Sequence, residues 1–294
     1  MNLDTVVNQI RNSNIIHLHM CQKNPQGYVT FTPNITDQVK NELKRISIDY
    51  LETKANIKQV EYNPTRTISG TVETVKFQDF DSVTEFFETF KEEAGIGEIT
   101  PILIDFFIYE FEIQDKSIYL FRRHNKNKAL RKGILGKILK GYYKSIETED
   151  ILTIDDKIDF LVYENEIIVF YHTAFERIFN LDAEFYDKAE IVLEADMFKN
   201  KIIGYDALKE DLLDNKNLVK RVSKLEGDID KATMFLKHMR RTEAVINRFD
   251  LPISIIGDQI CYEDKSQLGE IVLLMQDAYY RTFIGEEDGV DEGR

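Results

Sequence analysis

Short runs of apolar and β-branched residues, bounded by polar or turn-forming positions, recur through the first third of the chain. Three of these runs lie at residues 15–20, 28–31 and 71–77. Runs of this length and composition are typical of β-strands. We therefore predict three strands in this region.

Helical periodicity separates these strands. Thr36 is a favourable N-cap residue, and the apolar residues after it are spaced by four, three and four positions, which predicts one buried helix face. These residues are Val39, Leu43, Ile46 and Tyr50. A second helix is predicted to begin at Asp81 or Ser82, with three phenylalanines on its buried side, Phe86, Phe87 and Phe90.

Two β-hairpins are predicted in the middle of the chain. The first joins residues 102–113 to 117–121, and the second joins 157–163 to 166–171 through a short polar turn. The strands of the second hairpin are apolar on both faces, which is typical of central strands. These features predict an α+β fold with an antiparallel β core built from hairpins, flanking helices and a mainly helical C-terminal part.

From residue 205 the pattern is mainly helical. A heptad-like seam runs for about three heptads, and Gly227-Asp228 is a possible interruption. The seam residues are Leu218, Val222, Leu225, Ile229, Ala232, Leu236 and Met239. Such a seam fits either packing within the chain or a dimer helix, and we predict a homodimer through helices near 218–239. An acidic tail follows at residues 286–294.

Glycine and proline mark a domain boundary near residue 98. Gly95, Gly97 and Pro101 lie within seven residues of one another, a composition that favours a linker. We predict an N-terminal α+β region at 1–98 and a second domain at 99–294.

Composition narrows the class of protein. The chain has 294 residues and two distant cysteines, and its net charge is −14. No apolar run is long enough for a transmembrane helix, and the N-terminus lacks a signal-peptide pattern. These observations predict a cytoplasmic protein.

One stretch departs from this acidic character, and we call residues 116–146 the basic segment. It holds ten Lys or Arg and no Asp or Glu, so the rest of the chain carries −14 − 10 = −24. Cations beside aromatic and amide side chains suit phosphate contact and base stacking. Two alternatives are a solvated face paired with acids of the same chain, and a cationic amphipathic helix at 129–140 lying on anionic lipid.

Candidate metal ligands are sparse in the sequence. His17, His19 and Cys21 alternate along a predicted strand and would share one face, but no fourth zinc ligand is visible. Ordinary strand residues are the favoured interpretation, so no metal and no cofactor is predicted.

Nuclease chemistry has only a weak signal. Glu52-Thr-Lys54 and Glu263-Asp-Lys265 have the acid-x-Lys form of many metal-dependent nucleases. That form needs a partner acid on a preceding strand to hold the metal, and none is evident. We therefore predict a protein without enzymatic activity and keep a metal-dependent nuclease as the alternative.

Residues 155–179 carry a resemblance to a known family. They begin with Asp155-Asp-Lys-Ile-Asp159, form a hairpin through Asn165 and continue with Phe175-Glu176 opening a helix. This order, within 101–283, resembles the KwaB family of the Kiwa antiphage system. The resemblance implies a prokaryotic defence component that binds DNA without strong sequence preference, together with a membrane-embedded KwaA-like partner that recruits it to the inner face of the membrane.

The DNA contacts are predicted from charge, because the family has no sharp motif for them. Lysines and arginines of the basic segment would contact phosphates, and Tyr142 would stack on a base. The predicted residues are Arg122, Arg123, Lys126, Lys128, Arg131, Lys132, Lys137, Lys140, Tyr142 and Lys144. A module that docks an acidic protein or anionic lipid is a further alternative.

Overall fold

A computed structural model describes residues 1–24, 27–93, 103–124, 136–139, 142–145 and 152–291, and of residues 91–93, 136–139 and 142–145 it describes the backbone. The chain divides into two compact units. The first unit comprises residues 1–62 and 68–179, and the second comprises 63–67 and 180–294.

The first unit is built on an eight-stranded sheet. Its helices are α1 (Leu3–Asn12), α2 (Asp37–Glu52), α3 (Asp81–Glu93) and α4 (His172–Ile178). Its strands are β1 (Ile15–Asn24), β2 (Gly27–Phe31), β3 (Lys58–Glu61), β4 (Thr71–Lys76), β5 (Phe106–Ile113), β6 (Lys116–Arg123), β7 (Gly136–Leu139), β8 (Tyr142–Ser145), β9 (Phe160–Tyr163) and β10 (Glu166–Val169). The sheet order is β2-β1-β5-β6-β9-β10-β4-β3, and β7 pairs with β8 separately.

This architecture confirms the α+β prediction and both hairpins. Neighbouring strands of the sheet are antiparallel apart from β3 and β4, which are parallel. Strand β1 pairs with β5 along seven residue positions. Strands on either side of the predicted boundary at 98/99 therefore belong to one sheet, and that boundary falls inside the first unit.

The central strands bury both of their faces. Phe107, Tyr109 and Phe111 of β5 join the aliphatic side chains of α1 and α2 in one hydrophobic core. On the other face, phenylalanines from β5, β6, β9, α3 and α4 form an aromatic cluster, in which Phe121 stacks on Phe160 at 4.4 Å between ring centroids. The cluster comprises Phe86, Phe87, Phe90, Phe106, Phe121, Phe160, Phe175 and Phe179. Burial on both faces explains the continuous apolar runs in the sequence.

The second unit is largely helical. Its helices are α5 (Leu181–Leu193), α6 (Asp196–Lys201), α7 (Tyr205–Leu213), α8 (Lys216–Ser223), α9 (Ile229–Ala232), α10 (Met234–Lys237), α11 (Met239–Phe249) and α12 (Leu268–Met275). Its strands are β11 (Ile202–Ile203), β12 (Ser254–Ile256), β13 (Gln259–Cys261), β14 (Tyr279–Arg281) and β15 (Asp288–Val290). Within the acidic tail, β15 pairs with β14.

The heptad seam is interrupted at Gly227-Asp228, where the sequence had placed a possible interruption. The seam is divided among α8, a 3₁₀ turn at Glu226–Asp228, α9, α10 and the start of α11. Asp228 caps the new helix start by accepting the Lys231 N–H at 3.0 Å. Val222, Leu225 and Leu236 are buried within the single chain. Their apolar spacing therefore reflects internal packing.

No helix in the described parts of the chain is both long and apolar enough to cross a membrane.

Candidate nucleic-acid interface

The basic segment connects two neighbouring strands of the first unit. It begins on β6, and the chain returns at β9, which pairs antiparallel with β6 through Phe121 opposite Phe160. Because the two strands are adjacent, the connection leaves and re-enters the sheet at one end. The basic residues after Arg123 therefore lie on the long connection between β6 and β9. We call this connection the excursion, and the sheet fixes both of its ends.

A buried ion-pair network joins the two ends of this excursion. Arg122, at the end of β6, donates from Nε to Asp155 at 2.7 Å and from Nη1 to Asp159 at 2.8 Å. Nη2 binds the second oxygen of Asp155, so that pair is bidentate. The Arg123 backbone N–H donates to the other oxygen of Asp159 at 2.5 Å. We call these contacts the Arg122 clamp.

The backbone of Asp159 ties the clamp to the second hairpin. Its carbonyl accepts the N–H groups of Phe170 and Tyr171, each at 2.9 Å, and its own N–H donates to the Phe121 carbonyl. Asp159 thus bonds to β6 and to the end of β10.

One guanidinium serves two carboxylates in the clamp. Burial opposes the charge of Arg122, but its bonds to Asp155 and the nearby Asp159 outweigh burial and raise its pKa. Burial alone would raise the pKa of Asp155, and Arg122 instead lowers it. Asp159 is 2% exposed, and its burial raises its pKa against the opposing effects of the Arg123 N–H and the Arg122 guanidinium. Arg122 is thereby held as a permanent cation at the base of the segment.

The predicted phosphate contact by Arg122 is replaced by this internal pair. The residue is 7% exposed, and all three of its donating nitrogens face carboxylates. Arg123 is half-buried. Lys116, at the start of the segment, is exposed and pairs with Glu164. The alternative of cations paired within the chain therefore holds for Lys116 and Arg122.

A short hairpin lies within the excursion. Cross-strand register places Lys137 opposite Lys144, and Leu139 opposite Tyr142. Because 136–139 is a strand, the amphipathic-helix interpretation of 129–140 is wrong over these residues.

The other predicted contact residues lie outside the described part of the chain. They are Lys126, Lys128, Arg131, Lys132 and Lys140.

The two acid-x-Lys motifs do not form metal sites in the described regions. Glu52 pairs with Arg11, Glu263 accepts the Ser254 hydroxyl at 3.0 Å, and Lys265 pairs with Asp211. The group that does bring metal-ligating side chains together is His17, Glu110 and Glu112. The sequence pattern identified His17 but missed the two glutamates, because they lie about 90 residues away along the chain and become neighbours only through β1–β5 pairing.

Sequence reasoning did not identify the acidic partners in the Arg122 clamp. Asp155 and Asp159 pair with Arg122 because β6 and β9 are neighbours in the sheet. The signal available in the sequence was the pair of acids placed where the chain returns to a strand.

Comparison with known proteins found one informative match. A family model described as Kiwa protein KwaB-like matches residues 103–285, which is more than half of the chain. No curated protein and no solved structure matches the chain. The matched region includes β5, β6, the basic segment and the Arg122 clamp.

Proposed function

Because the chain belongs to the KwaB-like family of Kiwa proteins, we propose that it binds DNA through the basic segment without strong sequence preference. Family membership implies a component of Kiwa antiphage defence. In this proposal the protein acts as a non-enzymatic DNA-binding component, alongside a KwaA-like transmembrane partner that brings it to the inner face of the membrane.

The observation that carries the proposal is the concentration of cations on a connection fixed at both ends. Seven Lys or Arg lie between residues 124 and 146, and the segment as a whole has no acid. The Arg122 clamp fixes where this excursion begins and ends. Because the two ends of the segment are already fixed, binding carries no cost for ordering those ends.

Near the basic segment, the local charge affects DNA binding more than the net charge of the chain does. The chain is acidic overall, at −14. At physiological ionic strength charges are screened over about 8 Å. Phosphates in contact with the basic segment therefore respond mainly to nearby cations, and the acidic excess elsewhere lowers affinity for DNA approaching other surfaces.

Phosphate contact explains the expected lack of sequence preference. Lysine and arginine bonds to phosphate set position and affinity but carry no base information. Stacking by Tyr142 tolerates every base, because each base has a π face. The proposed contact set is Arg123, Lys126, Lys128, Arg131, Lys132, Lys137, Lys140, Tyr142 and Lys144.

A charge-reversal pair of variants tests the proposal. The segment variant carries Lys→Glu at four positions, Lys126, Lys128, Lys137 and Lys144. The control variant carries Lys→Glu at four exposed lysines elsewhere, Lys58, Lys76, Lys199 and Lys216. Both variants change the net charge from −14 to −14 − 8 = −22, so they differ only in where the charge is placed.

The binding assay uses two duplexes of unrelated sequence and equal length. The segment variant is expected to lose at least 100-fold in affinity for both, because each lost phosphate contact weakens binding for all sequences alike. The control variant is expected to lose less than tenfold. Equal losses in the two variants, or a loss confined to one duplex, would overturn the proposal.

A further inference from the structure

The strand pair β1–β5 carries a second cluster of functional side chains in the first unit. His17 lies directly opposite Glu110, and Ile15 lies opposite Glu112. Side chains alternate between the faces of a strand and opposed residues share a face. His17, His19, Glu110 and Glu112 therefore lie on the same face of the sheet, away from the core formed with α1 and α2.

We propose that His17, Glu110 and Glu112 bind one divalent transition-metal ion, with His19 acting as a positioning residue for Glu110. One ligand atom from each of the three residues lies within 4.8 Å of the other two. Ligand atoms at bond lengths of roughly 2.0–2.2 Å lie about 3.3 Å apart in a tetrahedral site. An ion at this place would therefore draw the three ligand atoms closer together.

Hydrogen bonds hold Glu110, which is the less exposed of the two glutamates. His19 is 4% exposed, and its Nε2 lies 2.9 Å from Glu110 Oε2 while its Nδ1 lies 2.8 Å from Thr32 Oγ1. The side chains of Ser117 and Tyr119 also form hydrogen bonds with Glu110. Groups that orient a metal-binding carboxylate in this way strengthen metal sites.

The other two ligands face solvent. The side chains of His17 and Glu112 are 40% and 37% exposed, and His17 Nε2 lies 2.9 Å from Glu112 Oε1. An ion at this place would have three protein ligands and open positions for water. Solvent access also gives the ion a path of entry.

Charge and ligand type identify the class of ion. The two carboxylates carry −2 when both imidazoles are neutral, and the ion pairs that they form in the described structure are with histidines. One imidazole nitrogen with two carboxylate oxygens suits Zn²⁺ or Mn²⁺, whereas Mg²⁺ and Ca²⁺ prefer oxygen ligands alone. Cys21 lies outside this cluster, because its thiol is fully buried and lies 3.6 Å from the Thr30 hydroxyl.

Equilibrium dialysis of the metal-stripped full chain against Zn²⁺ and against Mn²⁺ tests the site. One equivalent of at least one of the two ions is expected to bind. His17→Gln and Glu112→Gln are each expected to weaken that binding by at least 100-fold, and His19→Gln by about 10–100-fold. The matched controls are Glu164→Gln and His172→Gln, which change a carboxylate and an imidazole outside the cluster and are expected to leave binding unchanged.

Two further measurements separate a loss of metal binding from a loss of folding. Thermal unfolding of each variant without metal shows whether it is folded, and X-ray absorption of the zinc-loaded chain reports the ligand atoms. The expected spectrum has one imidazole nitrogen among oxygens. Binding that is equally weak in all forms, or a spectrum without an imidazole ligand, would overturn the proposal. Neither result depends on whether the chain binds DNA.

Discussion

The contacts that Arg122 makes in the structure differ from those that the sequence predicted. In the sequence Arg122 is one of ten cations in a segment without an acid, and in the structure its guanidinium pairs with Asp155 and Asp159. The two carboxylates differ in exposure, at 39% for Asp155 and 2% for Asp159. This difference makes the clamp testable one partner at a time.

We expect Asp159→Asn to lower the free energy of unfolding by about 3 kcal/mol, because it removes a buried charge that pairs with Arg122 and accepts the Arg123 N–H. Asp155→Asn is expected to cost about 1 kcal/mol, since its carboxylate is partly solvated. Urea denaturation measures both. Glu164→Gln, which removes the exposed partner of Lys116, serves as the control and should leave the urea midpoint unchanged. A larger effect at Asp155 than at Asp159 would contradict this account of the clamp.

His172 is the residue whose titration should be visible in stability. It lies between Glu73 at 2.7 Å and Glu176 at 2.9 Å, and the Tyr62 ring stacks on it. Burial opposes protonation, but the bonds to Glu176 and Glu73 outweigh it and raise the pKa of His172 from 6.5 to about 9. The folded protein therefore holds a proton that the unfolded chain releases at lower pH.

Because the folded-state pKa is the higher one, this stabilisation is fully present below pH 6.5 and is lost as the pH rises through about 9. We expect it to contribute on the order of 2 kcal/mol. Urea denaturation at intervals from pH 6 to 10, with His172→Gln as the reference, measures it. The difference in stability between wild type and variant should shrink across this window. A difference that stays constant would show that His172 does not hold the proton.

At the scale of elements, the sequence predicted the strands and helices that local patterns determine. The hairpins β5–β6 and β9–β10 and the helix α3 have short-range signals in their alternation, turns and caps. The pairing of β1 with β5 could not be predicted, because partners about 90 residues apart leave no local signature. The parallel pair β3–β4 was missed because β3 was not predicted as a strand. The metal-ligand cluster was missed for the same reason.

The short helices of the second unit show a second limit of prediction from sequence. Apolar residues spaced by three and four positions bury equally well on one long helix or on several short ones packed inside the chain. Thr233 bonds back to the Ile229 carbonyl at 2.9 Å, and the Asp228 cap starts a new helix. These polar contacts compete with helix continuation, and the heptad pattern does not report them.

The turn between β5 and β6 carries backbone strain that a single substitution should relieve. Gln114 has φ of +55°, whereas Asp115 has a negative φ. The left-handed conformation costs an L-residue about 1–2 kcal/mol, and glycine adopts it freely at an entropic cost of about 0.5–1 kcal/mol. Gln114→Gly is therefore expected to raise the free energy of unfolding by about 0.5–1 kcal/mol in urea denaturation. Asp115→Gly is the matched control and should lower it. The opposite order would contradict the turn geometry.

At the scale of the whole molecule, an acidic sequence contains a long basic segment. The total of 52 acidic against 38 basic residues would exclude DNA binding if charge acted only as a sum. The placement of the basic segment at the end of two central strands, with Arg122 and its two carboxylates at its base, makes the local charge the relevant quantity. The KwaB-like match covers this arrangement and supports a defence role.

The salt dependence of DNA affinity tests the central claim most directly. Each phosphate neutralised on duplex DNA contributes about −0.9 to the slope of log affinity against log salt concentration. With the eight cations of the proposed set in contact, the wild-type slope is expected to approach about −7, and the segment variant should flatten it by about 3–4 while the control variant leaves it unchanged. A wild-type slope near zero, or the same slope in the segment variant, would contradict DNA binding through this segment.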